Sequence, residues 1–532
     1  MNKTAKSFSI VTGFSLLTRA LAFLFKIWMS RALGAEVVGV YQIAQSVIFM
    51  LFTLTAGAPT VLSRKVAECA VKGNLKRQNA LATASMLIGL AVAAVLVGLF
   101  LAFKNHLGII FSNPDCIPIF LILLPTLVTS TLYASLRSWF WGRKNFIAFS
   151  STELLDEIVK IILSIVFAGG IVSAISASHG IALAITISDC VCVIVLAILY
   201  FASGGRIAKP QGFKELTKSM IPLSATRILT SVAVSLTALV IPKLLMSNGL
   251  DMGQATAAFG RVSGMALPLI MAPTTLISSL SIVFIPDVAR LKAKGDFATL
   301  RGKLSTTLIF AIIVAGLFFA LYLPLGEPLG ILLFKDAEAG RYVSYCSAML
   351  FPVAIAQATT PMLNSLGKEK NTLINTVIGG ATMIPLIFLT KFIGTYSIAL
   401  ASGTCFLTTA IFNVIVLRRE IGNFADSKKC LTGGLIFLPL ALASFFVARL
   451  FRSVAGDIPT TIVVAVFVLF FAFLLVQAVG VVDLVGFLRL VKPASIQKIR
   501  KSSRRTPTPR IKLHNKTYNE PRRYKNTKKQ TG

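Results

Sequence analysis

A chain of 532 residues that is 55% hydrophobic and 14% charged is too apolar for a soluble protein, where about 25% of residues carry charge. Its mean hydropathy of +0.80 points to a polytopic membrane protein. The formal charge of +33 has the size of a nucleic-acid binder's but not the layout. The cations sit in short loops between apolar runs and in one tail, so no nucleic-acid partner is expected.

The chain passes through Lys3 and Lys6 straight into an apolar run of spanning length, which is not the pattern of a cleavable signal peptide. Runs long enough to cross a bilayer recur near 8–30, 37–62, 79–103, 116–141, 152–172, 178–203, 220–245, 253–285, 304–334, 342–365, 372–390, 394–417, 430–448 and 459–488. The expectation is an all-α protein of fourteen transmembrane helices, with both termini on the same side. Loop charge selects the side. Segments assigned to the cytoplasm hold 24 lysines and arginines, and the opposite loops hold 7. Both ends are therefore expected inside.

The first run, from Ser7 to Arg31, carries Arg19 and Lys26 in its interior. Each cation costs about 2.5–3.5 kcal/mol at the centre of a spanning helix, so such residues normally face protein or water rather than lipid. At 100° per residue, Thr12, Ser15, Arg19, Ala22, Lys26 and Ser30 fall in one stripe, and the other faces are apolar. This helix is expected to face lipid on one side and a polar, cationic cavity on the other. Further cations inside spans are Arg137, Lys160, Arg227, Lys243 and Arg261. Arg137 and Lys243 lie near helix ends, within snorkelling reach of the interface. No acidic residue lies within one helical turn of Arg19, Lys26, Arg227 or Arg261. Two readings stand: ion pairs to other helices, or a cavity for an anionic substrate, since arginine's planar fork suits phosphate or carboxylate.

The fifth span opens with Ser150, Ser151, Thr152 and Glu153, followed by Asp156, Glu157 and Lys160. Ser150 with Glu153 fits a capping box, and Asp156 with Lys160 an i,i+4 pair; an ion site is the alternative. Asp189 is a lone carboxylate within the sixth span, a candidate proton carrier or counter-ion to a cavity arginine. The eighth span is interrupted by Pro268, Pro273 and Pro286, which bend a helix in a way that alternating access can use.

Three pairs of segments repeat six spans apart. VAECAVKGN (66–74) matches VARLKAKGD (288–296), Thr18-Arg19 matches Thr226-Arg227, and WGRKN (141–145) matches LGKEKN (366–371). The spacing predicts two parallel six-helix lobes, 1–203 and 204–417, around a central cavity with the first and seventh helices as equivalent walls. Helices thirteen and fourteen occupy 418–489. Residues 490–532 form a basic tail with almost nothing apolar, expected to be disordered and drawn to anionic membrane lipid.

The seven cysteines are scattered, the three histidines lie far apart, and there is no phosphate-binding glycine loop and no HExxH. No disulfide framework, metal or cofactor is expected. The short outer loops argue against a membrane glycosyltransferase or polymerase, so the chain is not expected to be an enzyme.

The stretches Thr18-Arg19, Ser30 to Glu36, Gly39 to Gln42, Ala56 to Pro59 and Ser63 to Glu68 resemble the opening helices of polysaccharide transporters. These belong to the multidrug/oligosaccharidyl-lipid/polysaccharide (MOP) exporter superfamily, and the likeness runs to its stage V sporulation protein B group, relatives of the lipid II flippases. Phe259-Gly260-Arg261, Pro268, Leu280-Ser281, Pro286 and Val288-Ala289 are similar to the eighth helix of those flippases. The resemblance implies a bacterial cytoplasmic-membrane flippase that moves a lipid-linked sugar pyrophosphate outward by alternating access. It implies that Arg19 and Lys26 stand for two cavity cations of the first helix and Arg261 for one of the eighth. Arg227 joins them as the repeat partner of Arg19. Some relatives bind sodium through carboxylates of the second lobe; here Thr226, Asn371 and Asn375 offer no buried acid. Cell-wall synthesis proteins are possible partners. The rival readings are a multidrug antiporter of the same superfamily, a membrane polymerase, and a non-transporting cell-wall scaffold.

Overall fold

The computed structural model describes residues 3–171, 175–278, 288, 291–292, 295–389, 391–424 and 427–478. Pro286 and the basic tail lie outside the described residues, as do the side chains of Thr226 and Arg227. The described chain is helical, with no strand among the described residues.

The apolar runs become helices and the loops between them stay short. The first departs from expectation. Spans one and two were expected to be separate, yet α1 runs from Lys3 to Thr55, interrupted only at Gly34. There the backbone takes φ 81°, ψ 172°, a region open to glycine and costing other residues roughly 1–3 kcal/mol. One residue therefore redirects the chain without a loop. The polar string Arg31 to Glu36 looks like a connection in sequence but is otherwise helical. The second crossing finishes in α2 (Gly57–Val71).

The remaining helices of the first six spans are α3 (Leu75–Ala102), α4 (Cys116–Leu123) with α5 (Thr126–Gly142), α6 (Phe146–Ala168) and α7 (Ala177–Ala202). Spans seven and eight are α8 (Phe213–Ser247), then α9 (Met252–Gly260), a π-helical turn (Arg261–Ala266) and α10 (Leu267–Met271). Then follow α11 (Phe297–Phe334), α12 (Ala337–Cys346) with α13 (Leu350–Ser365), α14 (Glu369–Leu389) and α15 (Tyr396–Ile421). The last two crossings are α16 (Ser427–Leu435) with α17 (Phe437–Ala455), and α18 (Asp457–Ala478).

Among the described residues, ten helices are long and apolar enough to cross a membrane, and one of them, Gly13–Thr55, holds both crossings of α1. The other three of the fourteen are α6, α8 and the broken stretch from Met252. α6 owes its lower apolarity to Glu153, Asp156, Glu157 and Lys160.

The repeat read from the sequence is also a repeat of local geometry. Gly73 and Gly295 both have positive φ (64° and 70°). The next residue of each donates its N–H five residues back, Asn74 to Cys69 and Asp296 to Leu291, each at 3.1 Å. The Asn74 and Asp296 side chains then cap the following helix through Arg77 N–H (2.9 Å) and Thr299 N–H (3.1 Å). Such a corner needs glycine followed by a short polar acceptor, which is why Gly-Asn and Gly-Asp survive at matching places.

The loops 64–77, 143–144, 206–218 and 290–303 mark a cation-rich end of the molecule. At the opposite, cation-poor end the two sets of six helices are interlocked. A Cβ on Gly39 would stand 2.1 Å from the Thr256 carbonyl oxygen, and one on Gly260 2.2 Å from that of Ala35. Only glycine permits backbones this close, as in small-residue seams of membrane helices. Asn113 Nδ2 donates to Thr256 Oγ1 at 3.1 Å, Arg31 Nη1 to the Leu332 carbonyl at 3.4 Å, and Lys243 Nζ to the Ile109 carbonyl at 3.3 Å. At mid-depth Ser235 Oγ donates to the Ser46 carbonyl at 2.6 Å, and Thr53 shares a hydrogen bond of 2.9 Å with Ser231. The seam closes the cation-poor end.

Candidate functional site

α1 is positioned by the burial of Phe25 and Met29, which fixes the direction of its polar stripe. Ser30 Oγ donates to the Lys26 carbonyl at 2.8 Å, so a stripe hydroxyl is turned back onto its own helix. The two cations of the stripe then part company. Arg19 is exposed, and it has no ion-pair partner among the described residues. Lys26 is half-buried and within electrostatic reach of Glu157 and Lys160 on α6.

α6 does not begin where its sequence suggests. Lys144 takes a left-handed conformation (φ 59°) and Asn145 N–H donates back to the Phe140 carbonyl. The chain is thereby turned within three residues, and the helix starts at Phe146. Ser150 therefore lies inside the helix, and the expected capping box with Glu153 does not form. Glu153 instead faces Arg137 at 3.4 Å, whose guanidinium also lies 5.0 Å above the Phe149 ring. The expected pairing of Lys160 with Asp156 is likewise replaced. Lys160 Nζ meets Glu157 Oε2 at 2.5 Å, three residues away on the same helix, and sits 5.9 Å from the Phe25 ring.

Asp189 on α7, lone in sequence, has company in space. Its Oδ2 accepts from Ser130 Oγ at 3.2 Å, and Asp156 and Lys160 lie within electrostatic reach. α1, α6 and α7 thus bring Lys26, Asp156, Glu157, Lys160 and Asp189 into one group, in which Glu157 is buried and the others are half-buried. Three carboxylates against two ammonium groups leave one negative charge, which a single bound proton would cancel. Asp156 Oδ1 and Glu157 Oε1 are buried and lack hydrogen-bond partners among the described residues. An anionic excess in low dielectric is costly, so this group is chemically disposed to take up a proton or cation. No group of three His, Cys, Asp or Glu side chains among the described residues is arranged to hold a metal ion.

Arg261 stands apart from this group. It opens the π-helical turn, and its Nε donates to Asp336 Oδ2 at 2.7 Å while Nη1 meets Glu338 Oε2 at 2.9 Å. Asp336 is doubly used, since its Oδ1 accepts from Ala339 N–H at 2.9 Å and caps α12. Both acids are more than 70 residues away in sequence, so no local pattern foretold them. A cavity of about 530 Å³ opens beside the pair, lined by Glu36, Arg261, Glu338, Tyr342 and Tyr396.

In the second set of helices the polar centre is amidic. Asn375 Nδ2 donates to Asn413 Oδ1 at 2.9 Å, and Asn413 Nδ2 donates to Thr359 Oγ1 and Thr360 Oγ1 at 3.1 and 3.0 Å. Asn413 is fully buried. It went unnoticed in sequence, although an asparagine within an apolar run is the available signal.

With this geometry in hand the relatives can be placed. The family model of polysaccharide biosynthesis proteins matches residues 4–292, just over half of the chain. The chain belongs to that family. The stage V sporulation protein B of Bacillus subtilis (strain 168) is 20% identical over 394 residues, covering 71% of this chain and 76% of the relative. Among solved structures, the lipid II flippase MurJ in an inward closed conformation superposes with a TM-score of 0.68 at 16% identity. The likeness covers 88% of this chain and 99% of that one. An inward-facing multidrug resistance MATE family transporter of the MOP superfamily gives 0.65 at 14% identity, over 76% and 95%. This family member is therefore a multi-pass membrane protein with the MOP transporter fold, and the two solved structures are a flippase and a transporter.

Proposed function

We propose that this chain moves an undecaprenyl-pyrophosphate-linked sugar, a peptidoglycan precursor of the lipid II kind, outward across the cytoplasmic membrane by alternating access. The cation-rich end faces the cytoplasm in this reading, as the loop charges favour. The observation that carries it is the exposed guanidinium of Arg19, two turns from Lys26 on one face of a spanning helix, in a molecule sealed at its far end. An exposed guanidinium within a spanning helix, with no carboxylate paired to it among the described residues, is suited to bind an anion, and a pyrophosphate supplies one. The lipid II flippase among the similar structures and the polysaccharide-biosynthesis family support the same substrate class.

Arg19 then receives the pyrophosphate first and Lys26 follows, with Arg227 assigned to the same substrate as the sequence-repeat partner of Arg19. Lys26 takes the substrate when the anionic charge facing it falls, so protonation among Asp156, Glu157 and Asp189 would couple substrate passage to a proton. Arg261 joins when the exterior seam parts and Asp336 and Glu338 let go. The lobes 1–203 and 204–417 are the moving bodies, and the basic tail rests on anionic lipid. The membrane potential favours an anion moving toward the positive exterior.

The multidrug reading draws on the same carboxylates and on the MATE likeness. The exposed group on the cavity-side helix is nevertheless a cation, which repels cationic drugs. Reconstitution of the full chain in liposomes with fluorescent lipid-linked sugar pyrophosphate separates these readings. Translocation is expected to fall at least tenfold in Arg19→Ala. Translocation of a cationic dye but not of the lipid-linked sugar would overturn the proposal.

A further inference from the structure

A second basic cleft lies at the cation-poor end, away from the site above. α17 docks on α11 by two contacts. Phe437 is fully buried in a notch at Gly316, where a Cβ would stand 2.2 Å from its ring. Two turns further on, Pro324 has no N–H to offer the Ala320 carbonyl, and Ser444 Oγ lies within donating distance of that carbonyl at 3.0 Å and of the Ala441 carbonyl of its own helix at 2.9 Å. Beyond Ser444 the helices diverge. A cleft of about 510 Å³ opens between them, with Pro324, Pro328 and Phe445 among its apolar lining and Arg341, Arg449 and Arg452 as its cations.

The three arginines are not equivalent. Arg452 is held by Asp457 (Nε to Oδ1, 2.8 Å) and Glu327 (Nη1 to Oε2, 3.5 Å), a trio with one net negative charge, so the positive charge of the cleft comes from the other two arginines. Arg341 and Arg449 are exposed and have no ion-pair partner among the described residues. The neighbouring residues of α17 that point outward, such as Phe446 at 69% and Leu450 at 68% exposure, form a face suited to lipid. The mouth of the cleft therefore opens where acyl chains lie, and its two unpaired guanidinium groups stand near the interface.

We propose that this cleft is a binding site for an anionic glycerophospholipid. Its phosphate is held between Arg341 and Arg449, and the first methylenes of an acyl chain lie on Pro324, Pro328 and Phe445. Charge complementarity selects the occupant. An apolar groove alone would accept any lipid, whereas two free guanidinium groups favour one with a net negative headgroup. The site is separate from the translocation reading, since it uses none of the cations assigned there. A bound lipid would tie α17 to α12 across the cleft.

Native mass spectrometry of the delipidated full chain, titrated with dioleoyl phosphatidylglycerol or dioleoyl phosphatidylcholine, tests this. The wild-type protein is expected to retain one phosphatidylglycerol at least fivefold more tightly than phosphatidylcholine. Arg341→Gln with Arg449→Gln should abolish that preference, and Arg341→Lys with Arg449→Lys should keep most of it. Equal retention of the two lipids by the wild-type protein would overturn the proposal. So would an undiminished preference in the glutamine variant, as expected if the basic tail were the source. Displacement of the lipid by millimolar inorganic phosphate would also overturn it, by showing a simple anion site.

Discussion

Glu157 and Lys160 form an ion pair of 2.5 Å one turn apart on α6, with 8% and 18% of their side chains exposed. Breaking a buried pair strands the survivor, at a cost of about 3–5 kcal/mol, while removing both partners costs far less. Lys160→Met alone, which leaves three carboxylates facing one ammonium group, should therefore lower the thermal midpoint more than Glu157→Gln with Lys160→Met. Equal loss in the single and double variants, measured in detergent at neutral pH, would show that Lys160 does not hold the carboxylates together.

Asp336 both pairs with Arg261 and caps α12. Asparagine caps as well as aspartate does, so Asp336→Asn removes the charge and keeps the cap. The variant should lose about 1.5–3 kcal/mol, the range for a hydrogen bond to a charged group. Asp336→Ala should lose about 1 kcal/mol more, for the missing cap. Denaturant titration of the two variants checks the order, which the opposite ranking would refute.

The backbone contact of Gly39 with Thr256 makes Gly39→Ala a wedge in the exterior seam. Val38 is fully buried beside it. In a background freed of the seven native cysteines, Val38→Cys should resist an impermeant maleimide. Adding Gly39→Ala should raise its labelling several-fold. No change would mean that the seam tolerates a methyl group and does not govern access.

At the cation-rich end, Glu215 meets Lys65 at 2.8 Å and Arg77 at 3.3 Å. The bond to Lys65 holds the Glu215 carboxyl below its ordinary range, and the same carboxylate raises the Lys65 ammonium. The depressed carboxyl contributes stability above its unfolded value of about 4.3 and loses it as pH falls through the folded value. The raised ammonium contributes below its unfolded value of about 10.4 and loses it as pH rises through its folded value. Between those limits the tie is pH-independent. These groups are largely solvated, so Glu215→Gln should cost no more than about 1 kcal/mol at pH 7. Its effect should fade as pH falls through the lowered folded value of the Glu215 carboxyl, as melting curves across pH would reveal.

The crossings were legible because a bilayer demands long apolar runs, and the repeat because like corners need a glycine and a short polar acceptor, Gly73-Asn74 and Gly295-Asp296. Arg19 and Lys26 stood out for the same reason: a cation within such a run is conspicuous. What escaped was whatever depends on distant partners. The acids of Arg261 and the company of Asp189 are set by packing, not by spacing. The Ser150–Glu153 pattern misled because the same residues fit a helix interior once Lys144 and Asn145 have already made the turn. The continuity of α1 was hidden by the polarity of Arg31 to Glu36.

Gly34 acts on that continuity like the fulcrum of a lever. About 15 residues separate it from Arg19, an arm of roughly 22 Å at 1.5 Å per residue. Turning the φ and ψ of this one residue enough to tilt the arm by about 10° would sweep Arg19 through roughly 4 Å, the reach of an ion pair. In the proposed mechanism a single joint would thus convert a small change of angle at the sealed end into the gain or loss of the contact between Arg19 and the substrate's pyrophosphate.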